Sequence, residues 1–98
     1  MSADPAALGE VRREVVIVNK RGLHARASAR FVGAVAAMDG CEVRVSKDGH
    51  CAAGGSILGL MMLGAAKGDK VELFVRGTQA EKRLAELVAL VQDGFGED

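Results

Sequence analysis

A histidine and an arginine two residues apart, His24 and Arg26, follow a glycine where a strand pattern gives way to a helix pattern. A helix N-terminus presents unpaired backbone N–H groups and a partial positive charge, and both attract anions. The histidine brings a nucleophilic ring nitrogen to that place, and the arginine guanidinium is a planar, permanently charged ligand for phosphate. This combination predicts a site that accepts, holds and passes on a phosphoryl group.

The small residues around His24 suit such a site. Gly22 permits a tight turn and a close approach of the backbone to a ligand. We expect Ala25 and Ala27, which are small and good helix formers, to leave the first helical turn open to a bulky anion. A simpler interpretation of a lone histidine here is an exposed or capping side chain. Residues 19–21, Asn-Lys-Arg, could add positive charge to the site or simply form a solvated turn.

A second candidate residue is Ser56, which follows two glycines and precedes an apolar run at 57–63. A serine in this place is typical of a helix N-cap, which stabilises a helix by about 1 kcal/mol. Its hydroxyl could also receive a phosphate, which would add negative charge to that surface. A short amphipathic helix cannot bury the whole run, so we expect some of Leu58, Met61 and Met62 to be exposed as a docking surface for a partner.

The charge and composition of the chain exclude several classes of protein. Its 98 residues carry 13 basic and 13 acidic side chains, so it lacks the positive charge of a nucleic-acid-binding protein. No run is long and apolar enough for a membrane span, and the N-terminus lacks the pattern of a signal peptide. We therefore expect a cytoplasmic protein without membrane insertion. Cys41 and Cys51 have no further ligands at zinc-site spacing and are expected to be free thiols that are buried or half-buried.

The hydrophobic pattern predicts the element order β-α-β-β-α-β-α. Alternating apolar residues and turn signals predict strands at 15–18, 41–46, 50–53 and 71–76. Helical spacing predicts helices at 25–38 and 57–63, and a third one between a Thr78–Glu81 capping box and Gly94. This order favours an α+β fold, a four-stranded antiparallel sheet with three helices on one face. We expect a flexible N-terminal segment at 1–10, one domain at 11–93 and an acidic C-terminal tail at 94–98.

Two segments of the chain resemble one family. Residues 19–26, Asn-Lys-Arg-Gly-Leu-His-Ala-Arg, resemble the phosphorylation-site signature of HPr, the histidine-containing phosphocarrier family of the phosphoenolpyruvate-dependent phosphotransferase system. Residues 55–64 resemble the regulatory-serine segment of the same family and follow in the expected order. The resemblance implies the HPr-like open-faced sandwich and a phosphocarrier function, in either the sugar-transport or the nitrogen-regulatory branch.

The resemblance also implies roles for individual residues. His24 would accept a phosphoryl group on Nδ1 from phosphorylated enzyme I and pass it to an enzyme IIA protein or domain, with Arg26 stabilising the phosphate. Ser56 would be the target of an HPr kinase/phosphorylase. The docking surface shared by the partners would comprise Ile57, Leu58 and Met61. Such a protein is a monomeric carrier rather than a turnover enzyme, and it needs no cofactor or metal.

Two positions depart from the family pattern. Ala27 stands where the family usually has proline, which restores a backbone N–H in the first helical turn. Gly55 stands where relatives often have a basic residue, which weakens the implied recognition of Ser56 by a kinase.

Other classes of function remain open from the sequence. A non-catalytic, regulatory HPr-like protein would act by binding partners, but such proteins lack the active histidine. A small-molecule-binding module would use His24 only to bind an anion, without covalent transfer. A hydrolytic enzyme is least favoured because no general base or carboxylate pair is evident near His24.

Overall fold

The computed structural model of this chain describes residues 10–97. Four strands form one antiparallel sheet in the order β1-β4-β2-β3. They are β1 (Val11–Val16), β2 (Cys41–Lys47), β3 (His50–Ala53) and β4 (Lys70–Gly77). Alternate side chains of the strands face one side, so that Val15 lies opposite Val71 and Val43 opposite Val75, all four of them buried.

Three helices cover this buried face of the sheet. They are α1 (Ala25–Ala36), α2 (Ile57–Met62) and α3 (Ala80–Gln92), and a single turn, Gly94–Gly96, follows the last of them. The apolar stripe predicted for α3 is buried as a whole, and it consists of Leu84, Leu87, Val88 and Val91. The predicted fold, a four-stranded antiparallel sheet with three helices in the order β-α-β-β-α-β-α, is confirmed.

The opposite face of the sheet carries charged side chains that pair across the strands. Arg12 Nε lies 3.7 Å from Glu72 Oε2, and Arg76 is paired with Glu42. Both pairs join β4 to a neighbouring strand, as side chains on the same face of adjacent strands can do. Charge on this face is therefore partly balanced by pairing between neighbouring strands.

Most boundaries lie within one residue of the sequence prediction, but β1 and α1 differ by two residues or more. The first strand is Val11–Val16 rather than 15–18, because the backbone of its charged residues pairs with β4 without an apolar alternation to reveal it. The first helix ends at Ala36, ahead of the predicted end at 38. At both elements the boundary depends on which backbone groups form hydrogen bonds, and the types of residue do not show this.

The capping box predicted at Thr78 and Glu81 is wrong. The N-cap of α3 is Gln79, which is left-handed with φ 56° and makes no side-chain capping bond. Thr78 lies too early in the chain to cap the helix, because its N–H donates to the carbonyl of Gly40 at 3.1 Å and thereby prolongs the pairing of β4 with β2. The helix then begins at Ala80.

The end of the chain packs on the domain as far as Glu97, within the segment predicted as an acidic tail. Gly94 and Phe95 are buried, because the phenyl ring of Phe95 fills part of the hydrophobic core. Asp98 and residues 1–9 of the predicted flexible N-terminal segment lie outside the described residues. The domain boundaries at 11 and 93 stay a prediction.

Replacing Phe95 by alanine should destabilise the protein strongly. Phe95 is 0% exposed, and loss of a fully buried phenyl ring costs about 3 kcal/mol or more. The matched control is Leu58→Ala, since Leu58 is 68% exposed and its truncation should cost less than about 0.5 kcal/mol. Urea unfolding measures both changes, and equal midpoints for the two variants would contradict the packing described for Phe95.

Candidate functional site

His24 lies at the start of α1 and is its N-cap. Its backbone is extended, with φ −74° and ψ −175°, and its carbonyl accepts a hydrogen bond from the N–H of Ser28 at 2.9 Å. Its ring nitrogen Nδ1 accepts a hydrogen bond from the backbone N–H of Arg26 at 3.2 Å. The imidazole thus takes the place of the serine or aspartate that more often caps a helix. Capping and chemistry involve the same nitrogen.

The two ring nitrogens of His24 have partners of opposite kind. Nε2 lies 2.9 Å from Oε2 of Glu97, and an ionised carboxylate can only accept a hydrogen bond. The backbone N–H of Arg26 can only donate, so Nδ1 presents a lone pair to it. The neutral ring therefore carries its proton on Nε2 and is nucleophilic at Nδ1. This tautomer fits the predicted phosphorylation on Nδ1.

The buried side chain of Asn19 binds the carboxylate of Glu97, which in turn binds the ring of His24. Asn19 is 3% exposed, and its Nδ2 donates to Oε1 of Glu97 at 3.0 Å and to the carbonyl of Gly22 at 2.8 Å. The hydrogen bond from Asn19 is the main reason that the pKa of Glu97 lies below its ordinary value. The hydrogen bond and charge of His24 and the charge of Arg26 lower this pKa further, against the opposing effect of burial. The carboxylate is therefore ionised at neutral pH.

Gly22 makes the tight turn before His24 possible. Its φ is +63°, and a Cβ at this position would lie 2.2 Å from the carbonyl oxygen of Ala65. The same carbonyl accepts a hydrogen bond from the N–H of Leu23 at 2.9 Å. The loop that carries His24 is thus in direct backbone contact with the segment that follows α2, and only glycine fits there.

The His24 ring opens into a cleft of about 440 Å³ that is rich in positive charge. Its cationic side chains come from the turn before His24 and from the first two turns of α1, and the carboxylate of Glu97 is its acidic group. A cleft with this charge distribution attracts anions such as a phosphoryl group. Its lining comprises Lys20, Arg21, His24, Arg26, Arg30, Gly96 and Glu97.

The expectation for Ala27 is wrong, while Ala25 is exposed as expected. Ala27 is 0% exposed, because the third helical position faces the core rather than the cleft. Ser28 beside it is equally buried, and its Oγ donates to the carbonyl of Leu23 at 3.1 Å. The replacement of the family's proline by Ala27 therefore lies at a packed position behind the anion site.

Ser56 is the N-cap of α2, as the capping interpretation predicts. Its Oγ accepts a hydrogen bond from the N–H of Gly59 at 2.9 Å, and the residue is half-buried. The exposure expected for the apolar run is also confirmed, because only Leu60 of α2 is buried. The other large side chains of this helix have exposed fractions of 40% for Ile57, 68% for Leu58, 40% for Met61 and 77% for Met62.

Neither cysteine of the chain is in a disulfide. Cys41 is half-buried as expected and donates its thiol hydrogen to the carbonyl of Thr78 at 2.9 Å. The expectation of a buried or half-buried thiol is wrong for Cys51, which is exposed at the second position of the edge strand β3. Within residues 10–97, no three His, Cys, Asp or Glu side chains are grouped as a metal site would require. No helix in this part of the chain is long and apolar enough to cross a membrane.

Sequence reasoning missed three residues of the site: Glu97, Arg30 and the role of Asn19. Arg30 follows Arg26 by one helical turn, and this spacing is a usable signal for a shared face. Glu97 is brought to His24 by a contact across most of the chain length, so no local pattern shows it. A sequence signal that residues 94–97 pack on the domain is Phe95, an apolar residue between two glycines.

Comparison with known proteins shows the family to which the chain belongs. A family model described as the phosphorylation site of the HPr component of the phosphotransferase system matches residues 11–93. The chain is 46% identical over 85 residues to the phosphocarrier protein HPr of Pseudomonas aeruginosa, which covers 86% of this chain and 93% of that protein. It is 35% identical over 88 residues to the phosphocarrier protein NPr of Escherichia coli K12, with 90% and 98% coverage.

Solved structures show the same fold. The crystal structure of HPr-C-His from Thermoanaerobacter tengcongensis matches with a TM-score of 0.84 and 35% identity, over 90% of this chain and 98% of that one. HPr from Bacillus anthracis matches with a TM-score of 0.80 and 32% identity, over 85% and 98%. The fold is thus that of the phosphocarrier proteins. This chain belongs to the HPr family of the bacterial phosphotransferase system.

Replacing Gly22 by alanine should lower the free energy of unfolding by about 2 kcal/mol or more, because the new Cβ meets the Ala65 carbonyl in a left-handed conformation. The matched control is Gly33→Ala in α1, where a Cβ meets nothing within 4 Å. That change should instead stabilise the protein by about 0.5–1 kcal/mol, as alanine favours a helix. Thermal and urea unfolding measure both, and changes of the same sign would contradict the tight contact at Gly22.

Proposed function

We propose that His24 accepts a phosphoryl group on Nδ1 from phosphorylated enzyme I and passes it to an enzyme IIA protein or domain. The observation that supports this most is the state of the ring, which is held with a lone pair on Nδ1 at the mouth of a cationic cleft. The family of the chain points to the same chemistry.

The transfer is a displacement at phosphorus. The Nδ1 lone pair forms the new N–P bond while the bond between phosphorus and the donor group breaks, and the reverse step delivers the group to the next protein. There is little further bond-making to catalyse, so the site acts by positioning and by stabilising charge. The guanidinium of Arg26 and the free N–H groups of the first turn of α1 are placed to bind the phosphoryl oxygens.

The same geometry supports a carrier rather than a hydrolase. Among the described residues, the carboxylate that contacts His24 binds Nε2, on the far side of the ring from the reacting nitrogen. It is therefore not placed to activate a water molecule for attack on a phosphoryl group at Nδ1. We infer that the protein is a monomeric cytoplasmic carrier that works without a cofactor or metal.

The exposed side chains of α2 are the proposed docking surface for the partners, with Ile57, Leu58 and Met61 at its centre. Exposed methionine and leucine side chains form adaptable apolar contacts. Because the N–H of Leu23 forms a hydrogen bond with the carbonyl of Ala65, the segment after α2 lies directly beside the His24 loop. A partner that covers this helix would therefore approach the cleft at the same time.

Transfer from enzyme I tests the role of His24. With enzyme I and labelled phosphoenolpyruvate, the wild-type protein should acquire an acid-labile label that His24→Ala does not acquire. The chain has one other histidine, His50, which is exposed at the start of β3. The control His50→Ala should be labelled like the wild type. Equal labelling of His24→Ala would overturn the proposal.

Regulation at Ser56 is the second part of the proposal. A phosphate on its Oγ would place negative charge at the start of α2 and beside the apolar docking surface, which favours the helix but disfavours an apolar partner. With HPr kinase/phosphorylase and ATP, we expect an acid-stable product that is lost in Ser56→Ala and kept in the control Ser46→Ala. Absence of the product from the wild type would confine Ser56 to capping.

A further inference from the structure

We propose that Glu97 is a positioning residue for phosphoryl transfer: its carboxylate holds the proton on Nε2 of His24 and stabilises the positive charge that the ring gains when Nδ1 is phosphorylated. The inference rests on the proposed phosphorylation of His24. It assigns a role to a residue near the chain end whose side chain is only 16% exposed.

Both oxygens of the Glu97 carboxylate are engaged, and this fixes its orientation. Oε2 lies 2.9 Å from Nε2 of His24, and Oε1 lies 3.0 Å from Nδ2 of Asn19. Asn19 is itself buried and bound to the carbonyl of Gly22 in the turn before the histidine. The carboxylate is therefore tied to the same loop that carries the reacting residue, as the orienting partner of a functional histidine must be.

The backbone that delivers Glu97 is also fixed. Gly94, Phe95 and Gly96 have positive φ angles of 66°, 59° and 74°, and they turn the chain back toward the start of α1. The buried ring of Phe95 anchors this turn in the core, and the N–H of Glu97 donates to the carbonyl of Gly94 at 3.0 Å. A left-handed phenylalanine is uncommon and costs energy, so the core must hold it in place.

The charge balance of the reaction explains what the carboxylate does. When the Nδ1 lone pair forms a bond to phosphorus while Nε2 keeps its proton, the neutral imidazole becomes a cation. A carboxylate 2.9 Å from Nε2 stabilises that cation more than it stabilises the neutral ring, so it favours the transition state over the ground state. In the donating step the same proton allows the ring to leave as neutral imidazole rather than as an anion.

The cationic side chains around His24 increase the need for a negative charge beside the ring, which the Glu97 carboxylate supplies. Lys20, Arg21, Arg26 and Arg30 line the cleft and favour the phosphoryl oxygens, but they also disfavour a positive charge on the ring. Glu97 is the acidic residue of that lining, and it binds the ring on the side away from the phosphoryl group. It can therefore offset the ring's positive charge without taking the place of the anion.

Phosphoramidate, a small phosphoryl donor, tests this role without any partner protein. Its P–N bond breaks as the histidine N–P bond forms, and ammonia leaves. In the wild type we expect phosphohistidine at Nδ1 alone, as read by 31P NMR. In Glu97→Gln we expect the reaction at Nδ1 to slow about fivefold or more, because a neutral hydrogen bond is about half as strong as one to a carboxylate. We also expect phosphohistidine at Nε2, which is no longer held by an anion.

Two further variants distinguish the effect of a carboxylate at position 97 from the effect of losing one negative charge elsewhere. Asp93→Asn removes one negative charge from the same end of the chain, at a residue outside the cleft lining, and should react like the wild type. Glu97→Asp keeps the charge near the ring and should react faster than Glu97→Gln. Urea midpoints within the error of the wild type confirm that each variant is folded and that a general structural role does not explain the result.

Clear outcomes would overturn the inference. These are a wild-type rate with exclusive Nδ1 phosphorylation in Glu97→Gln, or a Glu97→Asp rate at or below that of Glu97→Gln. Failure of enzyme I to label the wild type would instead count against the proposed carrier function, while the phosphoramidate reaction would still test the effect of Glu97 on Nδ1.

Discussion

The contact between the His24 loop and the carbonyl of Ala65 is the constraint on which the site depends. This contact requires glycine at position 22, since any Cβ would lie 2.2 Å from the Ala65 carbonyl oxygen. The same oxygen accepts a hydrogen bond from the N–H of Leu23. His24, the residue that follows Leu23, then caps α1 with its own ring. The residues just before α1 and just after α2 are thereby joined through backbone atoms, so His24 and the exposed apolar helix have a fixed relation.

Behind this contact, the first turn of α1 is held by packing rather than by a proline. Ala27 is completely buried, and Ser28 binds the carbonyl of Leu23 through its hydroxyl. A proline fixes φ through its ring, whereas here the neighbouring side chains restrict the same turn. The departure from the family at this position therefore changes the means by which the turn is held, and the ring of His24 remains in place.

Most of the fold could be predicted because its signals are local. Alternating valines mark β2 and β4, the Asp48-Gly49 pair gives a hairpin with both φ angles positive, and α3 shows one apolar stripe. His24, Arg26 and Gly22 were found because they are close in sequence. Glu97 was not found, because it reaches the ring through a turn built on a buried phenylalanine at the other end of the chain. The start of α3 was predicted wrongly because the N–H of Thr78 forms a hydrogen bond with the carbonyl of Gly40, so Thr78 extends the strand pairing and does not cap the helix.

The paired charges on the open face of the sheet have a consequence for how partners find this molecule. Arg12 and Arg76 are each paired with a glutamate on that face, whereas the cleft beside His24 is lined by four cationic side chains and one carboxylate. In a chain of zero net charge, the cleft is therefore a local concentration of positive charge. A local excess of one sign of charge attracts an oppositely charged surface during diffusional encounter, which favours the approach of an acidic surface to the histidine side.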